Sequence, residues 1–153
     1  MSSRLFVQVR EKLGIAYYVK TSASADTDTG FLVTQAGISH SKVESVIKTI
    51  LKEYQRIKTK KISKSELQKA KDNFQGTLSL SLESSDAQAA FYAGQELLTN
   101  KIISPKEQIE RINKVTADDI LKLAKDIFQP HKLNLALIGP LKDKTKFQKI
   151  LKI

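Results

Sequence analysis

The sequence predicts an α+β fold, with helices packed on one face of a small, mainly antiparallel sheet. Three observations predict it. An apolar stripe at helical spacing opens the chain and two strand-like runs flank a turn. A series of capped amphipathic segments then leads to one more short apolar run.

Leu5, Phe6, Val9 and Leu13 recur at helical spacing, so they can share one buried stripe, and Gly14 stops the segment. Ala16 to Ser24 is rich in Tyr, Val, Thr and Ser and suits a strand. Asp26-Thr27-Asp28-Thr29-Gly30 supplies turn residues, and Phe31 to Ile38 makes the second strand of a hairpin. Ser41 with Glu44 reads as a capping box, where each side chain satisfies a backbone N–H at a helix start. The helix it opens carries Val43, Val46, Ile47, Ile50, Leu51, Tyr54 and Ile57 on one face. Ser63 with Glu66 opens a longer helical stretch, which Gly76 and the Ser84-Ser85-Asp86 cluster interrupt or bend before Ala87 to Leu98 resumes. Ser104-Pro105-Lys106-Glu107 is a third box, with proline at the first helical position, where its missing N–H costs nothing. Thr116-Ala117-Asp118-Asp119 starts one more helix, ending near Phe128. Leu133 to Ile138 reads as a third strand closed by Gly139-Pro140, and a last helix follows. Three strands are few for so many helices, and a long unpaired edge is a liability. The expectation is one domain over residues 1–153, truncated, with further strands supplied by another chain or by more of the same protein.

Composition narrows the function. Zero cysteines exclude disulfides, thiolate metal sites and cysteine nucleophiles. No apolar run approaches the ~18 residues that a membrane span needs, and no secretory signal is visible, so the reading is a cytoplasmic protein without membrane contact. The net charge of +10 suggests nucleic acid. Yet 22 of the 26 basic residues are Lys and only 4 are Arg, and most of the lysines are spread along helices. Phosphate and base recognition favours the planar fork of Arg, so nucleic acid is not an expected partner. His40 and His131 lie in loops, far apart and outside any His-Glu-x-x-His pattern. No Gly-rich phosphate loop and no Gly-x-Ser-x-Gly elbow occurs. No catalytic residue and no metal ligand is expected in this chain. Arg10 and Tyr17, on either side of the Gly14 turn, remain the site candidates, because a permanent cation and a phenolic hydroxyl can together grip a peptide backbone or a carboxylate. The competing reading gives Arg10 a surface ion pair with Glu11 and packs Tyr17 at a strand end.

At these residues a family resemblance enters. Ser3-Arg4-Leu5-Phe6, followed by Val9-Arg10-Glu11-Lys12-Leu13-Gly14-Ile15-Ala16-Tyr17-Tyr18-Val19, resembles the C-terminal domain of the pitrilysin/insulinase/mitochondrial processing peptidase family of zinc metallopeptidases. Ile62 to Lys71, Leu78 to Ser85, Gln95-Glu96-Leu97, Ile109 to Ile112, Val115 to Ile120 and Leu135 to Pro140 follow in that family's order. The resemblance implies an incomplete half of a metallopeptidase-type α/β sandwich. It implies that Arg10 and Tyr17 bind substrate peptide in a two-halved chamber. It also implies that zinc and the general base, carried by His-x-x-Glu-His and a later Glu, come from a missing N-terminal half or a zinc-bearing partner chain, in a homo- or hetero-oligomer. This chain itself would bind no cofactor. The alternatives are an inactive structural or assembly subunit of the same family and, more remotely, a basic nucleic-acid-binding domain.

Overall fold

One amphipathic helix carries five of the nine buried residues among those described, and a hairpin packs beside it. The computed structural model describes residues 3–12 and 16–153, with the backbone alone for 10–12 and 16. Leu13 and Gly14, read as the end of the opening stripe and its stop, lie outside the described residues. Two compact units emerge, one formed by residues 1–60 and 121–153 and the other by 61–120.

In the first unit, Phe6–Lys12 is a π-helix, a rare winding that occurs mostly as single turns and is frequent at functional sites. It leads to the antiparallel pair β1 (Ala16–Ala25) and β2 (Gly30–Ile38), which form the only sheet among the described residues. A 3₁₀ turn, His40–Lys42, precedes α1 (Val43–Thr59). Val46 of α1 meets Leu5 and Val9 of the opening segment in a dry cluster, with Val19, Ala36, Ile38, Ile50 and Tyr54 packed around it. One turn over, Val43, Ile47 and Leu51 form a second cluster that Ile38, Leu133, Leu141 and Phe147 cover. Both clusters draw on the stripe expected for this helix. Tyr54 stacks on Phe128 with ring centroids 4.3 Å apart, and its hydroxyl bonds Thr34, which in turn bonds Thr21 across the hairpin at 2.7 Å. Burial pushes the Tyr54 phenol above its ordinary value, and the bond to Thr34 opposes that rise.

In the second unit, α2 (Lys64–Ser81), α3 (Ser85–Thr99) and α4 (Pro105–Lys114) contain no fully buried residue. Local polar bonds define them. Ser63, Ser84 and Ser104 each accept from the N–H three residues on, at 3.1 to 3.3 Å. Gln95 holds both backbone groups of Ile103, accepting from its N–H at 3.0 Å and donating to its carbonyl at 3.3 Å. The Lys71 ammonium donates to the Asn113 carbonyl at 2.8 Å, tying α2 to α4. Thr116 and Asp119 cap α5 (Ala117–Ile127) reciprocally, side chain to backbone in both directions. The chain then passes a 3₁₀ turn (Pro130–Lys132) to α6 (Lys144–Ile150) in the first unit.

Three local expectations change. Ser41 is not an N-cap: it lies inside the 3₁₀ turn, and Lys42 occupies the cap position of α1 without a side-chain bond. Glu44 is drawn away by two ammonium groups, Lys48 at 2.6 Å and Lys146 at 2.8 Å. Gly76 does not interrupt α2, because a helix tolerates a glycine at a modest cost; the break falls at Leu82–Ser84. Leu133 to Ile138 forms no strand, since neither β1 nor β2 pairs with it. Leu133 packs on α1 instead, while Ile138 stands in solvent.

Truncating the second cluster tests this packing. Ile47→Ala should cost about 2–4 kcal/mol, the range for a large aliphatic side chain removed from a packed site. Urea unfolding of the chain reads that cost, and a loss near zero would mean the cluster is not packed. The Glu44 pair adds a pH signature. Hydrogen bonds from Lys146 and Lys48, with their charges, hold the Glu44 carboxyl at about 2, below its ordinary 4.5. Its contribution is therefore present above pH 4.5 and disappears as pH falls toward 2. Lys146 is raised above 10.5 by the same partner, so its share is full below that value and is lost as pH climbs through the raised one. Glu44→Gln should flatten the acid limb of the stability profile, and about 1 M salt should shrink the difference from wild type, because both groups face solvent. A pH profile identical to wild type would exclude the contact.

Candidate functional site

Backbone irregularity gathers where the sequence placed its two candidates. Arg10 belongs to the π-helix, and its side chain lies outside what the structure describes. Tyr17 follows at the start of β1, where the ladder slips: Ala16 pairs with Ile38 and Tyr18 with Gly37, leaving Tyr17 as the extra residue of a β-bulge. Bulges re-aim a side chain, and Tyr17 is 81% exposed. Its ring stands open to solvent beside an otherwise regular ladder.

The hairpin's two faces differ. Val19 and Ala36, and next to them Thr21 and Thr34, are cross-strand pairs on the face toward α1. Tyr18 opposite Gly37, and Phe31 opposite Ser24, alternate to the other face, where Tyr18 and Phe31 are both exposed. The sequence shows the strand-forming residues but not the slip, which depends on which residue of β2 each residue of β1 meets. Two adjacent tyrosines at a strand start were the available signal.

Metal chemistry finds no home among the described residues. They include no group of three or more His, Cys, Asp or Glu able to hold an ion. His40 has its ring about 3.2 Å from where a side-chain carbon at Gly139 would sit, and it and His131 are exposed residues of the two 3₁₀ turns. A zinc therefore does not fit the described residues. No helix among them is long and apolar enough to cross a membrane.

Against known proteins, residues 1–74 match the family model described as the Peptidase M16 inactive domain. A zinc protease of Streptomyces coelicolor is 35% identical over 94% of this chain and 31% of its own length. The zinc protease YmxG of Bacillus subtilis is 34% identical over 92% of this chain and 34% of its own. The mitochondrial-processing peptidase subunit beta of Saccharomyces cerevisiae is 30% identical over 90% and 30%. Among solved structures, a conserved protein from Enterococcus faecalis superposes with a TM-score of 0.69 at 34% identity, over 80% of this chain and 28% of that one. A chain of complex III from Candida albicans superposes at 0.73 and 24% identity, over 82% and 30%, a likeness of fold alone. The chain is thus similar over most of its length to zinc proteases, and its first 74 residues match the inactive domain of the M16 peptidase family. It spans about a third of the length of the curated relatives it matches.

Metal removal gives a direct check on this chain. A chelator should leave its thermal unfolding unchanged, because a metal that binds only the folded state would raise its melting point. A drop in melting temperature on chelation, reversed by zinc, would contradict that.

Proposed function

We propose that this chain is the substrate-binding, non-catalytic C-terminal portion of a zinc peptidase acting on peptides. Both units belong to one C-terminal-type domain, and zinc and the general base are carried by an N-terminal half or a partner chain. The observation that carries the reading is Tyr17, bulged from the ladder and open to solvent, within the Arg10-to-Tyr17 segment that marks the family. A guanidinium and a phenolic hydroxyl are both hydrogen-bond donors. Aimed at a scissile carbonyl, they bind it in the ground state and steady the negative charge that develops on its oxygen. Neither group moves a proton in this scheme.

The description of the matched family as inactive favours a second reading, a structural subunit with no part in substrate handling. The same variants separate the two. In the assembled peptidase, Arg10→Ala and Tyr17→Phe should each lower kcat/KM about ten- to a thousandfold, the upper end being the loss seen when one oxyanion donor is removed. Circular dichroism of each variant should match wild type. Wild-type turnover by both would leave the structural reading standing.

A further inference from the structure

Position 37 is a glycine for a steric reason. Among the described residues only Gly139 is a glycine with positive φ, so the backbone at Gly37 would accept any residue. A Cβ built there, however, would lie 2.5 Å from Cε1 and 2.8 Å from Cδ1 of Tyr18. The ring of Tyr18 fills the space that a side chain at position 37 would need. This cross-strand pair is the first in register after the slip at Tyr17, and the ladder runs regularly from it to Ala25 and Gly30.

Strands as rich in Ala, Ser, Thr and Gly as these specify their register weakly, and a one-residue shift would turn each side chain to the opposite face. Here such a shift has a particular consequence, because the bulged residue and its neighbour are both tyrosines: moving the bulge by one position would present Tyr18 in place of Tyr17. On the inner face, the Thr21–Thr34–Tyr54 hydroxyl chain fixes register four residues away. At the slip itself, the lock is the Tyr18 ring over Gly37. We propose that Tyr18 is a positioning residue for the substrate site: its ring, seated on Gly37, sets where the bulge forms and so sets the direction in which Tyr17 projects. This rests on the substrate-binding reading of Tyr17. Tyr18 needs no contact with substrate, and its own hydroxyl is dispensable.

Two measurements test the clamp, one free of any activity. In amide NMR spectra of the full chain, Tyr18→Ser should split or broaden the signals of residues 16–18 and 36–38, as the bulge samples a second position. Gly37→Ala, which forces the ring away, should do the same, and Tyr18→Phe should keep the wild-type pattern. A single undisturbed set of signals in both Tyr18→Ser and Gly37→Ala overturns the proposal. In the assembled peptidase, assayed with an internally quenched peptide mixture, Tyr18→Ser should lower kcat/KM about tenfold, since small misplacements of a positioned group are costly. Tyr18→Phe should stay within about twofold of wild type, by the same geometry. Tyr18→Ser added to Tyr17→Phe should cause no further loss, as expected for residues acting through one another. Full activity of Tyr18→Ser, in an enzyme that Tyr17→Phe impairs, overturns the clamp and leaves the reading of Tyr17 intact. Wild-type turnover by Tyr17→Phe strikes that reading instead, and the spectra alone then decide the clamp.

Discussion

Helix α1 carries the first unit. Its stripe is wide enough to serve two neighbours at once: Val46 faces the opening segment and the hairpin, while Val43, Ile47 and Leu51 face the chain's closing stretch. Each fully buried aliphatic side chain of this kind contributes about 1.5–3 kcal/mol by leaving water. Ile38 at the end of β2 packs into both clusters, and Val19, Ala36 and the Thr34–Tyr54 bond add further points at which the hairpin meets α1. The bulge at Tyr17 lies at that same end of the hairpin, opposite Ile38 and Gly37. Presentation of the exposed tyrosine thus depends on how firmly the hairpin is seated.

The second unit is built differently. Helices α2, α3 and α4 start at serine caps, and single polar bonds link the segments, such as Lys71 of α2 to Asn113 of α4, or Lys61, ahead of α2, to Asp118 at 2.6 Å. Leu80, Leu97, Leu98 and Ile102 are exposed there. Caps define helix ends at about 1 kcal/mol each, but they do not substitute for a buried face. Stability in the chain therefore concentrates on α1 and the hairpin, and local opening should be easiest in residues 61–120.

What could be read from the sequence was local. Ser63, Ser104 and Thr116 announced their helices because a cap needs only the next three residues, and the α1 stripe was legible because its period lies within one element. Non-local facts were hidden. Whether Leu133 to Ile138 became a strand depended on an edge willing to pair with it, and Ser41 lost its box because Glu44 found Lys146, a hundred positions on. The site shows the same division. Arg10 and Tyr17 could be named from their spacing and the family resemblance, whereas the bulge and the seat of Tyr18 on Gly37 required knowing which residues of the two strands meet.

The central claim is that Tyr17 faces substrate, and proximity tests it more directly than a rate. A photoreactive benzoylphenylalanine placed at position 17 of the assembled peptidase, irradiated with a bound peptide, should give a covalent adduct between that position and the peptide. The same group at position 80, an exposed leucine of α2, serves as the control. An adduct at 17 and none at 80 is the expected result. Equal labelling at both positions, or none at 17, would contradict the account.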